Sequence, residues 1–91
     1  MNKKRDRLQI IHDILLAINE KNGKIKPTHI LYKSNLSHQM MDEYLTELSE
    51  KEFIIVNKND KGKTYSITKK GIDYLNEYKM IIRFTESFGL D

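Results

Sequence analysis

A stretch of about twenty residues near the C-terminus constrains this chain most. From Thr68 to Phe88 nothing interrupts a helix, and Tyr74, Tyr78, Ile81, Thr85 and Phe88 recur at intervals of 4, 3, 4 and 3, the spacing of a coiled-coil seam. Met80, Ile82 and Phe84 widen that apolar surface, while Ile72 and Leu75 mark a second, inward stripe. Thr68 is suited to cap the helix and Gly89 to follow its end. With 91 residues, 38% of them apolar, the chain has a thin core, because a domain of this size buries only about 60 to 65% of its unfolded surface. The second half of the helix is therefore expected to pack on a second copy, with Tyr74, Tyr78, Ile81, Ile82, Thr85 and Phe88 at the dimer interface. The alternative is that it folds back over Leu16 of the same chain.

Upstream, hydrophobic periods delimit the other elements. Residues 5–19 read as a helix whose Leu8, Ile10, Ile11, Ile14, Leu15 and Ile18 form one broad stripe, stopped at Asn22-Gly23, where glycine accepts a left-handed backbone. Ile25 and Lys26 leave room for a very short strand. Pro27 and Thr28 open a two-turn helix, with Thr28 as its expected cap and Ile30, Leu31 and Tyr32 turned inward, closed by Ser34-Asn35. Ser37 then caps a helix in which Met41, Tyr44, Leu45 and Leu48 face the core. Its opposite face carries Gln39, Asp42, Glu43 and Thr46, with His38 in the first turn. After Lys51-Glu52 the period becomes that of strands: residues 53–57 and 64–67, joined by a polar loop over residues 58–63, read as a hairpin.

Several classes of function are excluded by the same residues. There is no cysteine, hence no disulfide framework, thiolate metal site or cysteine nucleophile, and the chain is expected to be cytoplasmic. No apolar run is long enough to span a membrane, and the basic start does not lead into a signal-peptide core. His12, His29 and His38 lie on separate helices without metal-ligand spacing, and the serines are accounted for by caps and turns. Neither an enzyme nor a metal or cofactor site is expected, and no effector pocket is legible.

The order helix, short strand, helix, helix, two strands, helix is that of a winged helix-turn-helix, mainly α with a small β-hairpin. In that architecture the third helix enters the major groove and the hairpin follows the phosphate backbone. Charge follows the same division: residues 1–7 sum to +3, 20–33 to +3 and 57–70 to +4, against −4 for 37–52 and −2 from Gly71 onward. Basic charge thus sits on the arm, the second helix and the wing. The third helix is acidic, and Asp42 and Glu43 near its N-terminus also favour the helix dipole.

Particular stretches carry a resemblance. Ile10-Ile11-His12-Asp13-Ile14-Leu15, then residues 28–37 ending Asn35-Leu36-Ser37, then Tyr44-Leu45, then Ile67-Thr68-Lys69-Lys70-Gly71 with Leu75, are together similar to the archaeal winged-helix family of ArnR-like predicted transcriptional regulators. That family also takes in small chromatin-associated proteins with long, paired last helices. The resemblance implies double-stranded DNA as partner and a homodimer. The chain departs from the pattern at Leu31, where methionine is usual, at His38, where tyrosine is common, and at Asp42 and Glu43, which are often basic positions.

Residues 1–68 are accordingly expected to form a DNA-binding domain with a basic N-terminal arm, and residues 69–91 a dimerisation helix. The expected DNA contacts are Thr28, Lys33, Ser37, His38, Gln39, Glu43, Lys58, Lys61 and Lys63. Glutamine can pair with adenine, a carboxylate can accept from cytosine, and lysines at a wing meet phosphate. The rival expectation is a module that binds protein through its acidic third helix.

Overall fold

Asp6 decides where the first helix begins. Its carboxylate accepts a hydrogen bond from the Gln9 N–H at 2.8 Å, so α1 runs Arg7–Glu20 rather than from Arg5. The structure is a computed structural model and describes residues 5–90; Lys3 and Lys4 of the expected arm lie outside the described residues. α1 buries Ile10, Ile11, Ile14, Leu15, Ala17 and Ile18. Leu8, expected on this stripe, is 53% exposed. Gly23, at φ +81°, turns the chain and its N–H donates to the Tyr65 carbonyl. The expected strand at Ile25-Lys26 reduces to one bridge, Ile25 to Tyr65, with Ile25 fully buried.

Pro27 opens α2, Pro27–Ser34, and Lys26 occupies the cap position without a side-chain bond, so Thr28 is not the cap. Proline fits the first helical position because its missing N–H would have no partner there. Ile30 and Ser34, four apart, face the core, which sends Tyr32 to the far side of the helix, 75% exposed and not inward as expected. Asn35 ends the helix in the left-handed region at φ +53°. Ser37 accepts from the Met40 N–H at 3.2 Å and starts α3, His38–Glu50, with Met41, Leu45 and Leu48 buried.

The hairpin pairs β1, Ile54–Asn59, with β2, Gly62–Ile67, in antiparallel register from Ile54 opposite Ile67 to Asn59 opposite Gly62. It is longer than the sequence pattern indicates. Asn59 Oδ1 accepts from the Lys61 N–H at 2.8 Å, tightening the connection to Asp60-Lys61, so Lys58 and Lys63 belong to strands and face each other across the ladder. Tyr65 and Ile67 point into the core together.

Thr68 caps α4, Lys69–Ser87, by accepting from the Gly71 N–H. Gly71, not Ile72, is the buried residue of its first turn; Ile72 is 41% exposed. A methyl group built on Gly71 would lie 2.5 Å from the Phe53 carbonyl oxygen and 2.6 Å from an Ile67 side-chain carbon. α4 then leans on α1. The Tyr74 hydroxyl donates to the Leu8 carbonyl at 2.6 Å, and the Tyr78 ring stacks on His12 with centroids 4.4 Å apart. Phe53 meets Tyr74 edge-on at 6.0 Å. Burial pushes the Tyr74 and Tyr78 phenols above their ordinary range.

Two outcomes follow from this seating. Gly71→Ala has no space on its Phe53 and Ile67 side, and denaturant titration should show a loss of about 1 to 3 kcal/mol; an unchanged midpoint would mean that α4 can shift away at no cost. Tyr74→Phe should lose about 0.5 to 1.5 kcal/mol at neutral pH with its hydrogen bond. Because the folded state favours the neutral phenol, the stabilisation from this group is complete below the unfolded value near pH 10 and declines as pH rises through the higher folded value. Titrations at pH 7 and above pH 10 should therefore show a shallower alkaline decline in Tyr74→Phe than in the parent.

Candidate nucleic-acid interface

With Met41, Leu45 and Leu48 anchored, α3 presents His38, Gln39, Asp42, Glu43 and Thr46 to solvent, all five on the face read as outward from the sequence. Ser37, on the candidate list for contact with a ligand, uses its oxygen as the helix cap. Gln39 Nε2 donates to Glu43 Oε1 at 3.2 Å along the helix, so these two candidates hold one another. Asp42, Glu43, Glu47 and Glu50 share one acidic side of α3, where with Thr46 they line a shallow depression. Glu47 is its structural member: it pairs with Arg7 and, at 2.7 Å, with Lys51. Hydrogen bonds from Lys51 and Arg7 hold the Glu47 carboxyl below the usual range, and the same carboxylate raises Arg7. The Arg7 guanidinium also lies 5.6 Å from the Tyr44 ring centre.

The hairpin stands beside this helix. Asp42, Thr46 and Glu50 of α3 line a groove together with Lys58 and Lys63 of the hairpin, floored by Leu45, Val56 and Tyr65. Lys58, Lys61 and Lys63 are exposed, and none forms an ion pair among the described residues. The structure therefore brings together two wing lysines and the acidic side of α3, while His38 and Gln39 mark the N-terminal end of that helix.

Three other cations near the helices are engaged within the chain. Arg5 binds Asp13 at 2.7 Å and reaches the Asn35 carbonyl at 3.1 Å. Arg7 is held by Glu47, and Lys33, a candidate contact, pairs with Glu20 at 2.5 Å. Thr28 is exposed near the start of α2. The two arm arginines are thus less available to an anion than their segment charge indicates, whereas Lys21, Lys24 and Lys26 around the start of α2 are exposed and in no ion pair among the described residues. Asp13 sits between Arg5 and the His12 ring, pairing that local spacing alone does not reveal.

The apolar surface of α4 resolves into two faces. At 100° per residue, Tyr74, Tyr78, Ile82 and Thr85 fall within an arc of about 80°, and Met80, Ile81, Phe84 and Phe88 within a neighbouring arc of about 100°. Tyr74, Tyr78 and Thr85 are half-buried in the chain itself. The second set is open: Met80 is 61%, Ile81 54%, Phe84 61% and Phe88 66% exposed, with the Phe84 and Phe88 rings 4.9 Å apart. The seam read as one stripe thus has two of its six expected interface residues, Tyr74 and Tyr78, committed to α1. Met80 and Phe84, which in the sequence widen the apolar surface without joining its expected interface, lie on this open face, which follows the straight helical period rather than the heptad.

Among the described residues no group of three or more His, Asp or Glu side chains could hold a metal ion, and no helix is long and apolar enough to cross a membrane. The elements and the hairpin beside α3 define a winged helix-turn-helix, and the chain belongs to the winged helix-turn-helix family, whose defining pattern matches residues 4–86. It is 36% identical over 80 residues, 88% of its length, to the uncharacterized protein MJ0290 of Methanocaldococcus jannaschii. The chain spans 35% of the length of that relative. Its fold is similar to that of Sso10a-2, a DNA-binding protein from Sulfolobus solfataricus, with a TM-score of 0.76 and 22% identity over 92% of this chain and 85% of that one. It is also similar to MepR of S. aureus, solved as a DNA complex, at TM-score 0.67 and 19% identity, covering 88% of this chain and 59% of the other. BpsR of Bordetella bronchiseptica, whose DNA binding is regulated by 6-hydroxynicotinic acid, matches at TM-score 0.70 and 15% identity over 98% and 69% of the two chains. At these identities the three solved structures share the fold, and the archaeal relatives agree with the resemblance read from the sequence.

Proposed function

We propose that the chain binds double-stranded DNA as a homodimer, with α3 in the major groove and the hairpin along the phosphate backbone, as a transcriptional regulator or a small chromatin-associated protein. The observation that carries this reading is the groove shared by α3 and Lys58 and Lys63: a duplex that receives the exposed face of α3 meets both lysines. Lys61 at the hairpin tip extends the same contact. His38, Gln39 and Glu43 are the side chains offered to base edges, with Thr28 and Ser37 beside the backbone, and Lys33 joins them only by leaving Glu20. The three solved neighbours support the reading, since one is a DNA-binding protein, one was solved as a DNA complex and one has its DNA binding regulated by a small molecule.

The unpartnered face of α4 supports the dimer. Four large apolar side chains on one arc of a helix end lose favourable burial, about 1.5 to 3 kcal/mol for each that a partner would fully cover, and a second copy supplies a matching surface by symmetry. The acidic side of α3 favours a second reading, a protein-binding winged helix, and a duplex titration separates the two.

Log K for a duplex should fall linearly with log salt, and Lys58→Gln, Lys61→Gln and Lys63→Gln together should lower the slope by roughly one per lost phosphate contact. Absence of duplex binding by fluorescence anisotropy at about 50 mM salt would favour the protein-binding reading. Enrichment of a palindrome from random duplexes would mark a specific regulator, and no enrichment an architectural protein. For the dimer, Phe84→Glu with Phe88→Glu should give a folded monomer by sedimentation and circular dichroism, and a wild-type sedimenting mass would sink the assignment.

A further inference from the structure

Lys58 and Lys63 stand directly opposite one another in the hairpin register, and like charges in that position repel. Such a pair persists where counter-charge lies nearby. Across the groove from it stand Asp42 and Glu50 of α3, and none of these four residues is in an ion pair among the described residues. Two cations and two anions therefore share one groove without contact. The negative field extends to the groove floor, where the Tyr65 phenol is raised first by burial and then by the charge of Asp42.

We infer that Asp42 and Glu50 are selectivity residues, an internal counter-charge to Lys58 and Lys63 that weakens binding to duplexes in general. The inference rests on the DNA-binding reading and adds to it. A phosphate approaching the wing meets lysines whose potential is already partly cancelled, and it is itself repelled by the carboxylates. Backbone contacts carry no sequence information, so this loss falls on every duplex alike. A base edge that donates a hydrogen bond to either carboxylate, as the cytosine amino group does, recovers part of it. The acidic third helix thereby trades non-specific affinity for discrimination.

The test compares the full chain with the double variant Asp42→Asn, Glu50→Gln on a random-sequence duplex of about 20 base pairs, by anisotropy between about 50 and 200 mM salt. Both positions are exposed, so the variant should keep the melting profile of the parent. The expected result is binding about tenfold tighter, with a salt slope steeper by roughly one, as the lysines become fully available to phosphate. Glu77→Gln removes one charge from α4, outside the lysine groove and the DNA-facing elements, and should change affinity by less than half as much on the logarithmic scale. Equal effects from Glu77→Gln and the double variant, or no gain in the double variant while the parent binds, would overturn the inference and leave the DNA reading standing. Failure of parent and variant alike to bind would overturn both.

Discussion

Ile14, Leu15 and Ile18 are withdrawn from solvent because α2, α4 and β2 all pack against α1. Without that helix the remaining elements would lose the surface on which they meet. α3 enters the core through Met41, Leu45 and Leu48, and the hairpin through Ile54, Tyr65 and Ile67, so the angle between the helix and the wing is inherited from how each seats on this cluster. Net stability of a small domain is typically about 5 to 15 kcal/mol, and a buried aliphatic side chain contributes about 1.5 to 3 of it. The exposed groove between α3 and the wing is therefore only as well defined as the fourteen buried apolar core residues among the described residues make it.

Charge is organised by what that core leaves outside. Three cations near the helical framework are neutralised locally: Arg5 by Asp13, Arg7 by Glu47 and Lys33 by Glu20. These exposed or half-exposed pairs add little stability individually, but they remove positive potential from the two arm arginines and from Lys33. The wing keeps its lysines unpaired among the described residues, as do Lys21, Lys24 and Lys26 around the start of α2, so on these two parts of the surface an approaching polyanion finds charge not already matched by contact.

Element order, the α3 core stripe and the caps at Ser37 and Thr68 were legible in the sequence because they follow from periods and local hydrogen bonds. What was not legible depended on contacts between distant segments. Tyr32 reads as inward by composition, yet Ile30 and Ser34 claim the buried side of a two-turn helix. Leu8 and Ile72 fall on apolar stripes but lie where α4 approaches through Tyr74 and Gly71 instead. The wing is longer than its hydrophobic pattern because Asn59 tightens the turn. Of the candidate site, the exposed face of α3 and the wing lysines were identified, whereas the engagement of Lys33 and the arm was not, since Arg7 and Glu47 are 40 residues apart. Glu50 as a wall of the groove likewise emerges only when the hairpin is placed beside α3.

The two apolar faces of α4 are separated by rotation and not by length. Tyr74 and Tyr78 lock one of them to α1, and Met80, Ile81, Phe84 and Phe88 present the other to whatever covers it. Inserting or deleting a single residue between Tyr78 and Met80 would swing the outer set by about 100° about the helix axis. Composition and hydrophobicity would hardly change. The direction in which this domain can be joined to another body is thus written in helical phase, a quantity to which residue content is blind.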